Sequence, residues 1–130
     1  MKAESIMAHV NMCYQKGEIP LEIKELHIYH PAYDPNGRDD LLQVNPGMRL
    51  DGCAMLLIEV RVYRRKEDRY YEYQIRCKNN AMASFEPTEI ILQTCDIFPG
   101  ENPVDIENEM KSTMDNATDF LLSTLHLLSE

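Results

Sequence analysis

The chain has 130 residues, with 22 acidic against 13 basic side chains, a formal charge of −9 and no tryptophan. That length suits one domain, which can bury roughly two-thirds of its unfolded surface without staples. The acidic balance disfavours nucleic acid as a partner, and no apolar run approaches the roughly 20 residues of a membrane helix, so no membrane is expected.

The start, Met1-Lys2-Ala3-Glu4, leads into a polar helical run without the apolar core of a signal peptide. Cys13, Cys53, Cys77 and Cys95 are dispersed, form no CxxC, and each sits in an apolar pattern. They read as reduced core thiols, and the expected location is cytoplasmic.

Residues 3–16 predict an amphipathic helix, because Ile6, Met7, Val10, Cys13 and Tyr14 follow the 3-4 spacing. Gly17 supplies the stop, and Pro20 prevents continuation. Residues 21–30 (LEIKELHIYH) predict a strand whose alternation changes phase near Glu25-Leu26. A bulge would reconcile Leu21 and Ile23 with Leu26 and Ile28; so would burial on both faces. Residues 31–52 are dense in turn chemistry, with Pro31, Pro35, Asn36-Gly37, Pro46-Gly47 and Asp51-Gly52. Leu41, Leu42 and Val44 are expected to form a short strand or to tuck onto the core.

Cys53–Lys78 is the organising stretch. Ala54, Leu56, Ile58, Val60 and Val62 share one strand face; Tyr71, Tyr73, Ile75 and Cys77 share another. Setting Val62 against Tyr71 in an antiparallel pair makes one face wholly apolar. It also places Arg61 against Glu72 and Tyr63 against Tyr70, which are stabilising cross-strand pairs. The turn is then the four-residue loop Arg65-Lys66-Glu67-Asp68, with no glycine.

Residues 81–88 read as a connection and 89–98 (EIILQTCDIF) as a strand, on the β-branched residues Ile90, Ile91, Thr94 and Ile97. Asn102 can cap a last helix with Pro103 at its first position. That helix runs to about Leu128, with a stripe at Ile106, Met110, Met114, Ala117, Leu121, Leu125 and Leu128. Val104, Phe120, Leu122 and Leu127 fall outside the stripe. The end of the helix is thus apolar nearly all round, which marks deep burial or contact with another chain. The expected fold is α+β: an antiparallel sheet of three to five strands with the N- and C-terminal helices packed on one face.

Chemistry-bearing patterns are few. His27 and His30, with Asp34 nearby, come closest to a metal site, but an HxxH on a strand sends its rings to opposite faces. No HExxH, GxSxG, P-loop or GxGxxG occurs. No catalytic residue, metal or cofactor is therefore expected. The feature above background is the hairpin. Residues 61–78 hold seven bases against three acids, a local charge of +4 that leaves −13 for the remainder, together with four of the seven tyrosines. Arg61, Arg64, Arg65, Arg69, Tyr63 and Tyr70 are the candidate patch for a protein or an anionic ligand. The competing reading is structural: cross-strand pairs, and charges that guard the hairpin against aggregation.

The order of a helix at Ile6–Tyr14, a hairpin at Met55–Cys77 and a helix at Met110–Leu128 is similar to that of class I type III secretion chaperones, from which the turn-rich stretch 31–52 departs. That resemblance implies a binding module without enzymatic activity. The function expected is a small acidic interaction protein, of adaptor, inhibitor, immunity or chaperone type, acting on another protein. It is expected to be a homo-oligomer that associates through Phe120, Leu122 and Leu127. The alternative is a protein that binds a small ligand, nucleotide or phosphate through the hairpin.

Overall fold

Four antiparallel strands in sequence order carry two helices on one face. The structure is a computed structural model that describes residues 3–17, 22–29, 55–79 and 85–128, with side chains described for 5–17, 22–29, 55–79 and 85–124. Its elements are α1 (Ala3–Gln15), β1 (Glu22–Tyr29), β2 (Met55–Arg64), β3 (Arg69–Asn79), β4 (Phe85–Cys95) and α2 (Pro103–Leu128). The sheet order is β1-β2-β3-β4, with every neighbouring pair antiparallel. The expected α+β architecture is therefore present. The expected short strand at Leu41, Leu42 and Val44, and the positions His30, Asp34 and Cys53, lie outside the described residues, as does the side chain of Leu127.

The central hairpin has the expected register. Val60 pairs with Tyr73, Arg61 with Glu72 and Tyr63 with Tyr70. Leu56, Ile58, Val60 and Val62 from β2, and Tyr71, Tyr73, Ile75 and Cys77 from β3, are all buried on the helix-covered face. A slip of one residue would turn this whole set to the opposite face, so burial fixes the register. The turn closes with Asp68 at a φ of 53°, in the left-handed region that Asp tolerates better than most residues. Its carboxylate accepts a 2.7 Å hydrogen bond from the Tyr63 hydroxyl, which raises the Tyr63 pKa above its ordinary value.

In β1 the phase change is a bulge. Ile23 pairs with Val62 and Glu25 with Arg61, which leaves Lys24 as the extra residue. The bulge returns Ile23, Leu26 and Ile28 to one side, and all three are buried. The side-chain amide of Asn11 on α1 clamps this place. Its Nδ2 donates to the Ile23 carbonyl at 3.1 Å, and its Oδ1 accepts from the Ile23 N–H at 2.9 Å. One side chain thus satisfies both backbone groups of an edge residue and ties the helix to the strand.

α1 buries Ile6, Val10 and Cys13 and ends at Gly17, whose φ of 79° is the left-handed stop that glycine adopts without strain. α2 starts as expected. The Asn102 side chain accepts from the Val104 N–H at 3.0 Å, and Asp105 lies in the first turn, where the helix dipole favours an acid. Its inner face carries Met110, Met114, Ala117, Leu121 and Leu122 into the same core.

β4 differs from expectation at both ends. It begins at Phe85, inside the stretch read as a connection, and ends at Cys95 rather than Phe98. Pro87 sits within it, opposite Cys77. An outer strand accommodates a proline because only one of its edges must donate to the ladder. Two residues are extra with respect to β3: Thr88, between Pro87 and Glu89, and Gln93, between Leu92 and Thr94. These two bulges break the alternation that would have marked the strand in the sequence.

Candidate functional site

The hairpin's cations do not gather into one patch. Residues of β2 alternate, so Arg61 and Tyr63 lie on the open face of the sheet while Arg64 shares the helix-side parity of Val60 and Val62. Arg61 lies between Glu25 at 3.9 Å and Glu72 at 3.8 Å, with its guanidinium 5.1 Å from the centre of the Tyr70 ring. Tyr70 in turn meets Tyr63 with ring centroids 4.7 Å apart, and Lys24 lies 5.5 Å over the Tyr63 ring. Arg61, Tyr63 and Tyr70 therefore do come together, but around carboxylates that neutralise the cation.

Arg64 and Arg69 face each other across the hairpin, a like-charge pairing that would be unfavourable alone. Each is drawn off by its own acids. Arg64 pairs with Glu67 at 2.9 Å and with Glu109 of α2 at 3.5 Å. Arg69 is only 3% exposed. It donates to the Asp96 carbonyl and to Glu101 at 2.5 Å, and its guanidinium lies 4.7 Å from the Phe98 ring centre. Glu101 also accepts from the Phe98 N–H at 2.7 Å. The bond from Arg69 lowers the Glu101 pKa, helped by the Phe98 N–H, and the same bond raises that of Arg69. Arg69 is thus the anchor of the turn between β4 and α2, and its burial removes it from any ligand-binding surface. Arg65 pairs with Glu22 at 3.5 Å and lies 5.7 Å from the Tyr14 ring centre. Further along, Arg76 pairs with Glu89 and Lys78 with Glu86, at 3.7 and 3.8 Å. Exposed pairs of this kind contribute little to stability. Their effect here is on the field, because among the described residues they leave no converging set of positive charges.

The open face holds a depression of about 60 Å³ among Glu25, His27, Glu59, Arg61, Glu72 and Gln93. Ligand pockets run to several hundred Å³, so a metabolite would not fit there. Among the described residues, no group of three or more His, Cys, Asp or Glu side chains could hold a metal ion, and no helix is long and apolar enough to cross a membrane.

The proposed contact residues of the last helix are placed differently from one another. Leu122 is 4% exposed within the single chain and belongs to the core. Its place outside the stripe had marked it as surplus. The C-terminal part of α2 is covered on a wider arc than its start, and Thr118 and Thr124 are buried there with it. Phe120 is half-buried and stacks on His9 of α1, with centroids 6.2 Å apart.

The site that sequence reasoning missed lies along β4. A groove of about 300 Å³ runs between this strand and the first turns of α2, lined by Ile90, Leu92, Gln93, Cys95, Glu107 and Lys111 among others. Ile90, Leu92 and Cys95 are half-buried along it, and Ile91, which alternates to the other side of the strand, lines it too and is 39% exposed. Burial raises the Cys95 thiol pKa, against the opposing pull of Arg69. Among the described residues, nothing pairs with the outer edge of β4. The one usable signal was the apolar run Ile90-Ile91-Leu92; its position at a sheet edge was not readable. In comparison with known proteins, no family model, no curated protein and no solved structure matches the chain.

Proposed function

We propose that the protein is a non-enzymatic interaction module that acts by binding another protein, as an adaptor, inhibitor, immunity protein or chaperone does. The observation that carries this reading is the β4 edge, unpaired among the described residues, beside a groove lined by Ile90, Leu92 and Cys95 on one side and Glu107 and Lys111 on the other. An outer strand offers backbone donors and acceptors, and a groove beside it takes alternate side chains, which is how extended peptides are bound. The spread of the hairpin's cations into separate ion pairs supports the same reading over an anion site. A cytoplasmic location is part of the proposal, supported by the free thiols of Cys77 and Cys95. So is self-association, for which Phe120 remains a half-buried contact residue at the junction of the two helices.

Crosslinking of the tagged chain in its native host, followed by quantitative mass spectrometry, is the test. A single partner recovered in near-stoichiometric amount is the expected result. A chain recovered alone, whose melting temperature rises with a nucleotide or phosphate metabolite, would overturn it. Sedimentation equilibrium at micromolar concentration settles association separately, with a dimer expected and a monomer contradicting it.

A further inference from the structure

We infer that the β4 edge takes an extended, basic segment of the partner as an added strand, with alternate apolar side chains seated in the groove beside α2. This rests on the protein-binding reading above and names the chemistry of the partner. Three observations lead to it.

The first is geometry. Ile90-Ile91-Leu92 is an apolar run on an outer strand, flanked by Pro87 and by the bulges at Thr88 and Gln93. Proline and bulges are the devices that keep an edge from pairing indiscriminately. Here they leave a short regular stretch, Glu89–Leu92, in register with Arg76–Tyr73. The edge is limited in length, and among the described residues no strand closes it.

The second is the groove. Its floor, formed by Ile90, Leu92 and Cys95, lies on the helix side of the sheet, where side chains of an added strand would alternate with those pointing to the open face. Glu107 and Lys111 form its far rim. Met110 and Met114 of the same helix enter the core.

The third is charge, and it decides between occupants. Residues 85–124 contain nine acids and one base. Four of the acids are neutralised within the chain: Glu86 by Lys78, Glu89 by Arg76, Glu101 by Arg69 and Glu109 by Arg64. Among the described residues, Asp96, Asp105, Glu107, Asp115 and Asp119 pair with no base, and with Lys111 they leave this flank a net charge of −4. A second copy would set −4 against −4. Its hairpin could not offset this, because six of the seven bases there already have acidic partners. A basic strand meets the opposite sign, and its binding weakens with salt.

The probe is a capped nine-residue peptide of alternating lysine and valine, titrated into the isotopically labelled full chain. A glutamate–valine peptide of the same length is the control. The expected result is a set of amide shifts confined to residues 89–95 and 105–115, with affinity falling as salt rises and no response to the control. Glu107→Lys together with Asp115→Lys should weaken binding at least tenfold, and Lys111→Glu should strengthen it. All three positions are exposed on α2, and melting curves verify that the fold is retained. Three outcomes would overturn the inference: equal binding of both peptides, no binding of the lysine peptide, or protected β4 amides in a peptide-free dimer. Shifts that map to the open face would remove β4 as the site while leaving a protein-binding role intact. A monomeric chain that captures no partner in the crosslinking experiment would instead remove the role itself.

Discussion

Ile58 lies at the middle of β2 and is fully buried, between Ile28 on β1 and Ile75 on β3. Ile58→Ala removes three carbons, worth about 2.4 kcal/mol at roughly 0.8 kcal/mol each. A cavity term adds to this. The flanking side chains stand on hydrogen-bonded strands and the helices close the site from above, so little collapse is available. The expected loss is about 3–4 kcal/mol, within the range of roughly 2–5 kcal/mol for such changes. Ile91→Ala removes the same atoms from the outer face of β4, where the side chain is 39% exposed, and should cost under about 1 kcal/mol. Urea unfolding followed by circular dichroism measures both, with the slope unchanged if only stability is altered. A loss for Ile58→Ala below about 1 kcal/mol, or equal losses for the two variants, would refute the assignment of one covered and one open face.

The Arg69–Glu101 bond predicts a pH dependence. Folding lowers the Glu101 pKa, so its contribution is complete above the ordinary glutamate range and is lost as the pH falls through the lowered value. The urea midpoint of Glu101→Gln should lie below that of the wild type at pH 7 and approach it at pH 3; an equal gap at both would exclude the pair as its source. Burial pushes the Cys77 thiol up to about 12, and Cys13 is buried as well. Peptide mapping after alkylation at pH 8 should find Cys95 labelled in the native protein, with Cys13 and Cys77 labelled only in denaturant. Early labelling of Cys77 would show that the sheet opens. Leu122→Glu should lower the melting temperature sharply by placing a charge in the core; a stable, monomeric variant would show instead that this position is an association surface.

The hairpin was legible because two local rules agree in it. The period of two put the apolar residues on one face, and a single register satisfied the charges and tyrosines on the other. The caps of both helices were equally local, resting on Gly17 and on Asn102-Pro103. The phase change in β1 was visible too, but not its meaning. Only the pairing with β2 shows that Lys24 is extra, and only α1 brings Asn11 there to hold the bulge. The start of β4 was hidden by Pro87 and two bulges, which remove both the propensity and the alternation that a strand needs to be recognised.

For the candidate site the division is sharper. Composition along the chain revealed that the positive charge is concentrated between residues 61 and 78. The sequence placed Arg61 against Glu72, but it could not reveal the pairing of Arg65, Arg69 and Arg64 with Glu22, Glu101 and Glu109, which are distant in sequence. Folding converted an apparent basic patch into separate pairs and, among the described residues, left uncompensated acids along the flank of β4 and α2. The sequence by itself determined the elements, the register of the hairpin and which residues could form a core, since these follow from periodicity and neighbouring side chains. Tertiary structure alone decided that Leu122 is interior, that Arg69 is an anchor and that β4 is an edge beside a groove. Each of those depends on which distant segment lies next to it, and no local period encodes that neighbour.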